Sequence, residues 1–221
     1  MQRIKVGSRK SPLALVQVKE VEEELCRFCP DAAFDLIPVD TKGDKDRRTS
    51  LREMEKTDFF TRELDEMLLS GACDICIHSA KDLPDPMPDG LIAAAVTKGV
   101  DSSDSLIMKE GIDFYSLPPG AKIASSSFRR IENVKKLRED LQFVDIRGNI
   151  QERLDFLREA DGVVIAEAAL IRLKLSPNRI RLPGCTPPGQ GRLAIVCRTD
   201  DRQMIKRFEG LHHEEDLVHR P

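Results

Sequence analysis

The sequence predicts an α/β fold of two lobes, each built on a mixed, mostly parallel sheet. Three observations lead there. Short apolar β-like runs alternate with amphipathic helical stretches along the chain, the pattern of helices layered on sheets. Two such sets are separated by polar or Pro/Gly-rich stretches near 97–104 and 182–191. The 221 residues, 40% hydrophobic, suffice for one large core or two small ones.

The elements follow in order. Residues 3–6 read as a strand. Ser11 as N-cap and Pro12 at the first helical position then open a helix. Its apolar face runs through Val18, Val21, Leu25 and Cys29. Residues 34–39 form the next strand. Residues 40–58 are charge-dense and without periodicity, and read as a mobile loop able to act as a lid. Phe60, Leu64, Met67 and Leu68 mark a helix ending at Gly71, and strands follow at 75–78 and 91–96. The second set has strands at 105–108, 122–124, 143–146 and 162–166. Its helices are lined by Ile131, Val134 and Leu137, and by Ile150, Leu154 and Leu157. A last strand at 193–197 precedes a helix from about Asp201.

Composition narrows the function. A net charge of −3 gives no global reason to expect nucleic acid or an anionic membrane surface. No apolar run approaches the roughly 18 residues of a membrane-spanning helix. The first residues also lack the apolar core of a secretory signal. A cytoplasmic location is therefore expected, with neither nucleic acid nor membrane as partner. Two Cys-x-x-Cys pairs, Cys26/Cys29 and Cys73/Cys76, raise zinc or redox chemistry. On a strand, positions three apart point to opposite faces, which suits a shared metal badly. Buried free thiols are the expectation, and no metal site is assigned.

Four stretches share one design: a strand end, a small residue, then Ser or Arg, then a helix. They are Gly7-Ser8-Arg9-Lys10-Ser11, His78-Ser79-Ala80-Lys81-Asp82, Ser125-Ser126-Ser127-Phe128-Arg129-Arg130 and Arg147-Gly148-Asn149. Ligands of open α/β sheets bind at the carboxyl ends of strands. Free N–H groups at helix starts, Ser hydroxyls and Arg forks together receive carboxylates or phosphates. Any one stretch alone reads first as a capped helix with a surface arginine; four together predict a cleft for a polyanion. Asp82, just past a strand, could stabilise a cation or accept a proton, or simply cap a turn.

The same stretches carry a family resemblance. Arg9-x-Ser11-Pro12-Leu13-Ala14-Leu15-x-Gln17 and His78-Ser79-x-Lys81-Asp82-Leu83-Pro84 resemble the opening and catalytic segments of porphobilinogen deaminases, also called hydroxymethylbilane synthases. Ser126-Ser127-Phe128-Arg129-Arg130, Arg147-Gly148-Asn149 and Gly189-Gln190-Gly191 match further family motifs in order. The resemblance implies two lobes like those of type II periplasmic binding proteins, with a cleft between them and a small third domain beyond. On this chain it places one lobe at 1–97 plus 191–215, the other at 101–187, and the start of the third domain at 216–221. It implies a transferase of tetrapyrrole (heme) biosynthesis that condenses four porphobilinogen units into hydroxymethylbilane and releases ammonia. The chain grows on a covalently attached dipyrromethane, and a monomer is expected.

Site roles follow from the same resemblance. Asp82 is the catalytic residue, stabilising the cationic azafulvene left when ammonia departs. Carboxylates of substrate and cofactor are assigned to Arg9, Ser11, Gln17, Ser79, Lys81, Ser126, Ser127, Arg129, Arg130, Arg147, Gly148, Asn149, Arg153 and Gln190. Three departures stand against the pattern. None of the six cysteines lies in the family's Gly-Gly-Cys-like anchoring context, so the cofactor's attachment is not expected within this chain. The active-site loop reads Lys56-Thr57-Asp58-Phe59-Phe60 instead of a Gly-Lys-Gly-Leu-Phe-like run. Pro188 and Arg192 flank Gly189-Gln190-Gly191 where small residues are usual. The rival reading is a non-catalytic two-lobe module that binds a small carboxylate or pyrrole ligand.

Overall fold

A computed structural model describes residues 2–46 and 58–213. Two five-stranded sheets organise them. The first sheet takes β1 (Gln2–Arg9), β2 (Ala32–Val39), β3 (Ile75–Ser79), β4 (Leu91–Val96) and β10 (Leu193–Arg198) in the order β2-β1-β3-β10-β4. The second takes β5 (Asp104–Met108), β6 (Lys122–Ala124), β7 (Gln142–Val144), β8 (Gly162–Ala166) and β9 (Arg179–Leu182) in the order β7-β6-β8-β5-β9. Both sheets are mixed. In the first, β1 runs parallel to β2 and β3 while β10 is antiparallel to β3 and β4. In the second, β6 is parallel to β7 and β8 while β5 is antiparallel to β8 and β9. Among the described residues the pairings are thus half antiparallel, more than the alternation of strands and helices suggested. The reason is that the strand entering each lobe from a crossover runs antiparallel to both neighbours: β10 between β3 and β4, and β5 between β8 and β9.

Strand alternation sends the two faces of the first sheet to different helices. Ile75, Ile77 and Ile195 face α1 (Pro12–Cys26) and α7 (Arg202–Phe208), and meet Val21, Leu25 and Phe208 there. Cys76 and Val196 face the other way, onto Leu64 and Leu68 of α3 (Arg62–Leu69). In the second lobe, Leu106, Ile123 and Val164 pack on Val134 of α4 (Phe128–Lys135). Ile107, Val163 and Ile165 face Ile150 and Leu154 of α5 (Ile150–Asp155) and Leu170 of α6 (Glu167–Arg172). Leu13 of α1 also packs into this second core, so the first helix bridges the lobes.

Two crossovers join the lobes, at 97–103 and 183–192, and they are stitched together. Thr97 N–H donates to the Leu193 carbonyl at 2.9 Å and Val100 N–H to that of Gly191 at 3.2 Å. Gly191 has φ +84°, and a Cβ there would lie 2.1 Å from the Asp101 carbonyl oxygen. Glycine alone lets the two crossovers approach this closely.

Several local expectations change. The polar stretch at 40–58 is not wholly irregular: Thr41 caps a one-turn helix, α2 (Lys42–Lys45), through a reciprocal capping box with Asp44, and Asp58–Phe60 form a 3-10 turn. Residues 47–57 lie outside the described residues, as do 216–221, so the expectations of a mobile lid and of an opening third domain fall there. α1 ends at Cys26, before Cys29, although Cys29 still packs on the first core. The strand expected at 143–146 spans Gln142–Val144. α6 and β9 were not foreseen, since both are short and carry no strong cap or turn signal. The face argument for Cys73 and Cys76 also fails. Cys73 precedes the strand, so alternation does not apply to it, and the two sulfurs lie 3.6 Å apart. All six cysteines are free thiols.

Candidate active site

The carboxyl ends of β1, β3 and β8 and the turn after β7 open on one cleft between the lobes, of about 820 Å³. Each strand end delivers a side chain through a locally encoded turn. Arg9 ends β1, and Ser11 then caps α1 by accepting from Ala14 N–H at 3.3 Å. Ser79 ends β3 and accepts from Gln17 Nε2 at 3.1 Å. Lys81 and Asp82 follow in a 3-10 turn, Ala80–Asp82, with Asp82 exposed to the cleft. Asn149 caps α5 in a reciprocal box with Glu152. That cap fixes the bend at Gly148, φ +99°, and turns Arg147 and Arg153 inward.

The wall is cationic. Arg9, Lys81, Arg130, Arg147 and Arg153 all line the cleft. Burial pushes Lys81 down to about 8; Arg130 adds to this, while Asp82 and Asp104 oppose it. Burial, then the neighbouring charges of Arg130, Arg147 and Arg9, lowers Arg153 to about 10. Burial likewise lowers Arg147. Its Nη2 donates to the carbonyls of Gly43 and Asp46, at 3.3 and 2.9 Å. Its Nη1 is buried with no hydrogen-bond partner. His78, behind Ser79, is pushed down to about 4 by burial and by Arg9. It is therefore neutral at neutral pH, and its Nε2 also has no partner. Clustered cations that depress one another, with an unsatisfied buried donor, make a receptor for a ligand bearing several anionic groups.

Most of the residues singled out in the sequence converge here: Arg9, Ser11, Gln17, Ser79, Lys81, Asp82, Arg130, Arg147, Gly148, Asn149 and Arg153. The other four, Ser126, Ser127, Arg129 and Gln190, are bonded to neighbouring groups of the protein. Ser127 caps α4 by accepting from Arg130 N–H. Ser126 Oγ is bonded to the Asp145 carboxylate and the Ile146 carbonyl. Arg129 donates to the Cys185 carbonyl at 2.9 Å and pairs with Asp104 at 2.7 Å. Gln190 donates to the Ser102 carbonyl at 2.6 Å and to Asp104 at 3.1 Å. Each of these four thus has a hydrogen-bond or ion-pair partner within the protein.

Sequence reasoning missed other residues of the cleft. Asp44 of α2 is paired with Arg9. Phe60 stacks under the Arg9 guanidinium, 4.7 Å from the ring centre. Arg172 of α6 reaches across to Glu20 of α1 at 2.7 Å and to the Gly191 carbonyl at 2.9 Å. The capping box of Thr41 and Asp44 had a readable signature; the other contacts had none. Among the described residues no cluster of three or more His, Cys, Asp or Glu could hold a metal ion. No helix among them is long and apolar enough to cross a membrane.

Comparison with known proteins agrees with this architecture. Solved structures share the fold at low identity. The methionine-binding protein MetQ aligns with a TM-score of 0.60 at 16% identity, over 95% of this chain and 89% of MetQ. A periplasmic substrate-binding protein of an ABC transporter from Coxiella burnetii aligns at 0.57 and 17%, over 96% and 92%. The sheet order and two lobes are those of type II periplasmic binding proteins. Sequence relatives are much nearer. The porphobilinogen deaminase of Desulforamulus reducens is 36% identical, over 96% of this chain and 71% of the relative. That of Synechococcus elongatus is 38% identical, over 96% and 69%. The profile described as "Porphobilinogen deaminase, dipyromethane cofactor binding domain" matches residues 4–206. Matched by that profile over most of its length and by these relatives at more than a third identity, the chain belongs to the porphobilinogen deaminase family of tetrapyrrole-forming transferases.

Proposed function

We propose that the cleft binds porphobilinogen and the growing pyrrole chain, and that Asp82 carries the condensation that yields hydroxymethylbilane. The observation that carries this is the set of Arg9, Lys81, Arg130, Arg147 and Arg153 lining the same cleft as the exposed carboxylate of Asp82. Each pyrrole unit bears an acetate and a propionate, so the chain is a polycarboxylate suited to guanidinium forks. In each cycle the aminomethyl C–N bond of porphobilinogen breaks and ammonia leaves. The methylene carbon then bonds to the free α-carbon of the acceptor pyrrole, which loses its proton. Positive charge develops on the substrate pyrrole, and the Asp82 carboxylate stabilises it while accepting hydrogen bonds from pyrrole N–H groups. His78, neutral behind Ser79, adds no charge to oppose that cation.

The residues also fit the carboxylates of a dipyrromethane. Arg147, with its unpartnered buried Nη1, Arg153 and Lys81 would hold them. When bound, this group supplies the nucleophilic pyrrole carbon on which the chain is built. Ser11 and Asn149, committed to helix caps, keep the helix starts facing the ligand. A monomeric protein is part of the proposal, as is a cytoplasmic location, which the six free thiols suit. The lobes are read as 1–97 plus 191–215 and 101–187, hinged at the stitched crossovers.

Calorimetric titration with porphobilinogen tests the cleft. Micromolar to millimolar binding is expected, weakened at least tenfold by Arg153→Gln. No binding by the unaltered protein would overturn the reading. Intact mass after expression tests the primer, since a covalently held dipyrromethane adds a fixed increment to the sequence mass.

A further inference from the structure

Behind the cleft wall sits a carboxylate that touches no ligand-facing surface. Asp104 opens β5 and is 1% exposed. It accepts from Arg130 Nε at 2.9 Å and pairs with Arg130 Nη2 at 2.8 Å, both through Oδ1. Its Oδ2 pairs with Arg129 Nη1 at 2.7 Å. Gln190 Nε2 donates to Oδ1 at 3.1 Å, and Gln190 Oε1 meets Lys81 Nζ at 3.4 Å. One connected set of polar groups thus runs from α4 in the second lobe, through both crossovers, to the turn that carries Asp82 in the first.

The geometry on Arg130 is directional. Asp104 engages the edge formed by Nε and Nη2, on an arginine that also lines the cleft. A long arginine side chain otherwise samples many rotamers, and fixing them before the ligand arrives removes that cost from binding. Burial tends to hold the Asp104 carboxyl up, but Arg130 and Arg129 outweigh it and keep the group ionised. The buried negative charge also lets two adjacent arginines start one helix without repelling each other apart.

We propose that Asp104 is a positioning residue for the reaction: it presets Arg130 for a ligand carboxylate and, through Gln190, ties that arginine to Lys81 beside Asp82. The inference rests on the reading that the cleft binds pyrrole carboxylates. It predicts an effect that passes through Arg130, not one that spreads through the fold.

A double-mutant cycle separates the two. Porphobilinogen affinity is measured by calorimetry for the unaltered protein, Asp104→Asn, Arg130→Gln and the double variant, with thermal unfolding recorded for each. Asp104→Asn is expected to weaken binding about tenfold, and the double variant to bind within twofold of Arg130→Gln alone. Additive losses, or unaltered affinity in a folded Asp104→Asn protein, would overturn the proposal. If Asp104→Asn does not fold, Asp104→Glu supplies the same cycle, because it keeps the buried charge and displaces it by one methylene. The expected loss is then about threefold, again absent from the Arg130→Gln background; a loss that persists there overturns the proposal. Failure of the unaltered protein to bind porphobilinogen would instead remove the cleft reading beneath it.

Discussion

Arg9 Nε donates to both carboxylate oxygens of Asp44, each at 3.1 Å, so α2 and the end of β1 are joined at the rim of the cleft. Burial raises the Asp44 carboxyl, but the hydrogen bonds and charge of Arg9, with the bonds to Thr41, outweigh it, and the group titrates below its ordinary 3.8. A carboxyl depressed in the native state contributes stability that is full above its unfolded value and fades as pH falls through the native one. Asp44→Asn should therefore cost about 1 kcal/mol at neutral pH. The gap from the unaltered protein should close in acid. Urea unfolding between pH 7 and 3 measures this; a gap that widens in acid contradicts it.

Asp82→Asn should lower hydroxymethylbilane formation at least about a hundredfold. The side chain is exposed and the change nearly isosteric, so the unfolding midpoint should barely move. Steady-state rates and a thermal melt on the same preparation decide it, and rates like the unaltered protein's would remove Asp82 from the mechanism.

Lys81 should give the cleft an alkaline limit. With its ammonium lowered to about 8, it loses its charge well before an ordinary lysine. Arg130 and Arg153 press it down, while Asp82 and Asp104 hold it up. Porphobilinogen affinity should fall as pH rises through about 8, and Lys81→Met should lack that limb. Stability runs the other way. The native state gives up this proton first, so the cost of burying the charge is full below about 8 and is relieved as pH climbs towards 10.5. Titrations from pH 6.5 to 9.5 would show a flat profile if Lys81 does not meet the ligand.

Gly191→Ala should be severe. The new methyl would meet the Asp101 carbonyl at 2.1 Å, on a backbone with φ +84°. Both the clash and the strain fall at the stitch between crossovers, and a loss of roughly 3 kcal/mol or more is expected. A chemical-denaturation midpoint within error of the unaltered protein would show that the crossovers can part without cost.

Gly7→Ala tests packing around the thiol pair. Its Cβ would come within 2.7 Å of Cys76 Sγ and 3.1 Å of Cys73 Sγ. A cost of about 1–3 kcal/mol is expected, partly recovered by adding Cys76→Ala, which vacates the space. An additive double variant would mean that the strain is taken up elsewhere.

What the sequence determined by itself is local. Ser11-Pro12 states where α1 begins, because a cap and a proline act within one turn. Asn149 and Glu152 do the same for α5. Alternation at 75–78 and 193–197 marks strands, because side chains on a strand change face at every residue. The motif order from Arg9 to Gln190 was legible through its resemblance to a known family, and with it most of the cleft. What only the tertiary structure decided is the pairing of distant groups. Arg9 and Asp44 are 35 positions apart, Asp104 and Arg130 26, and Lys81 and Gln190 109. Nothing in a local window distinguishes Asp104, a buried support for two arginines, from a strand-edge aspartate in water. Nor does it show which protein groups Ser126, Arg129 and Gln190 bond to. Cys73 and Cys76 were misplaced because the rule applied to them assumed a strand that starts only at Ile75. Propensity, capping and alternation act along the chain, whereas burial and charge neutralisation act through space, and these set which arginines of the cleft remain open to a ligand.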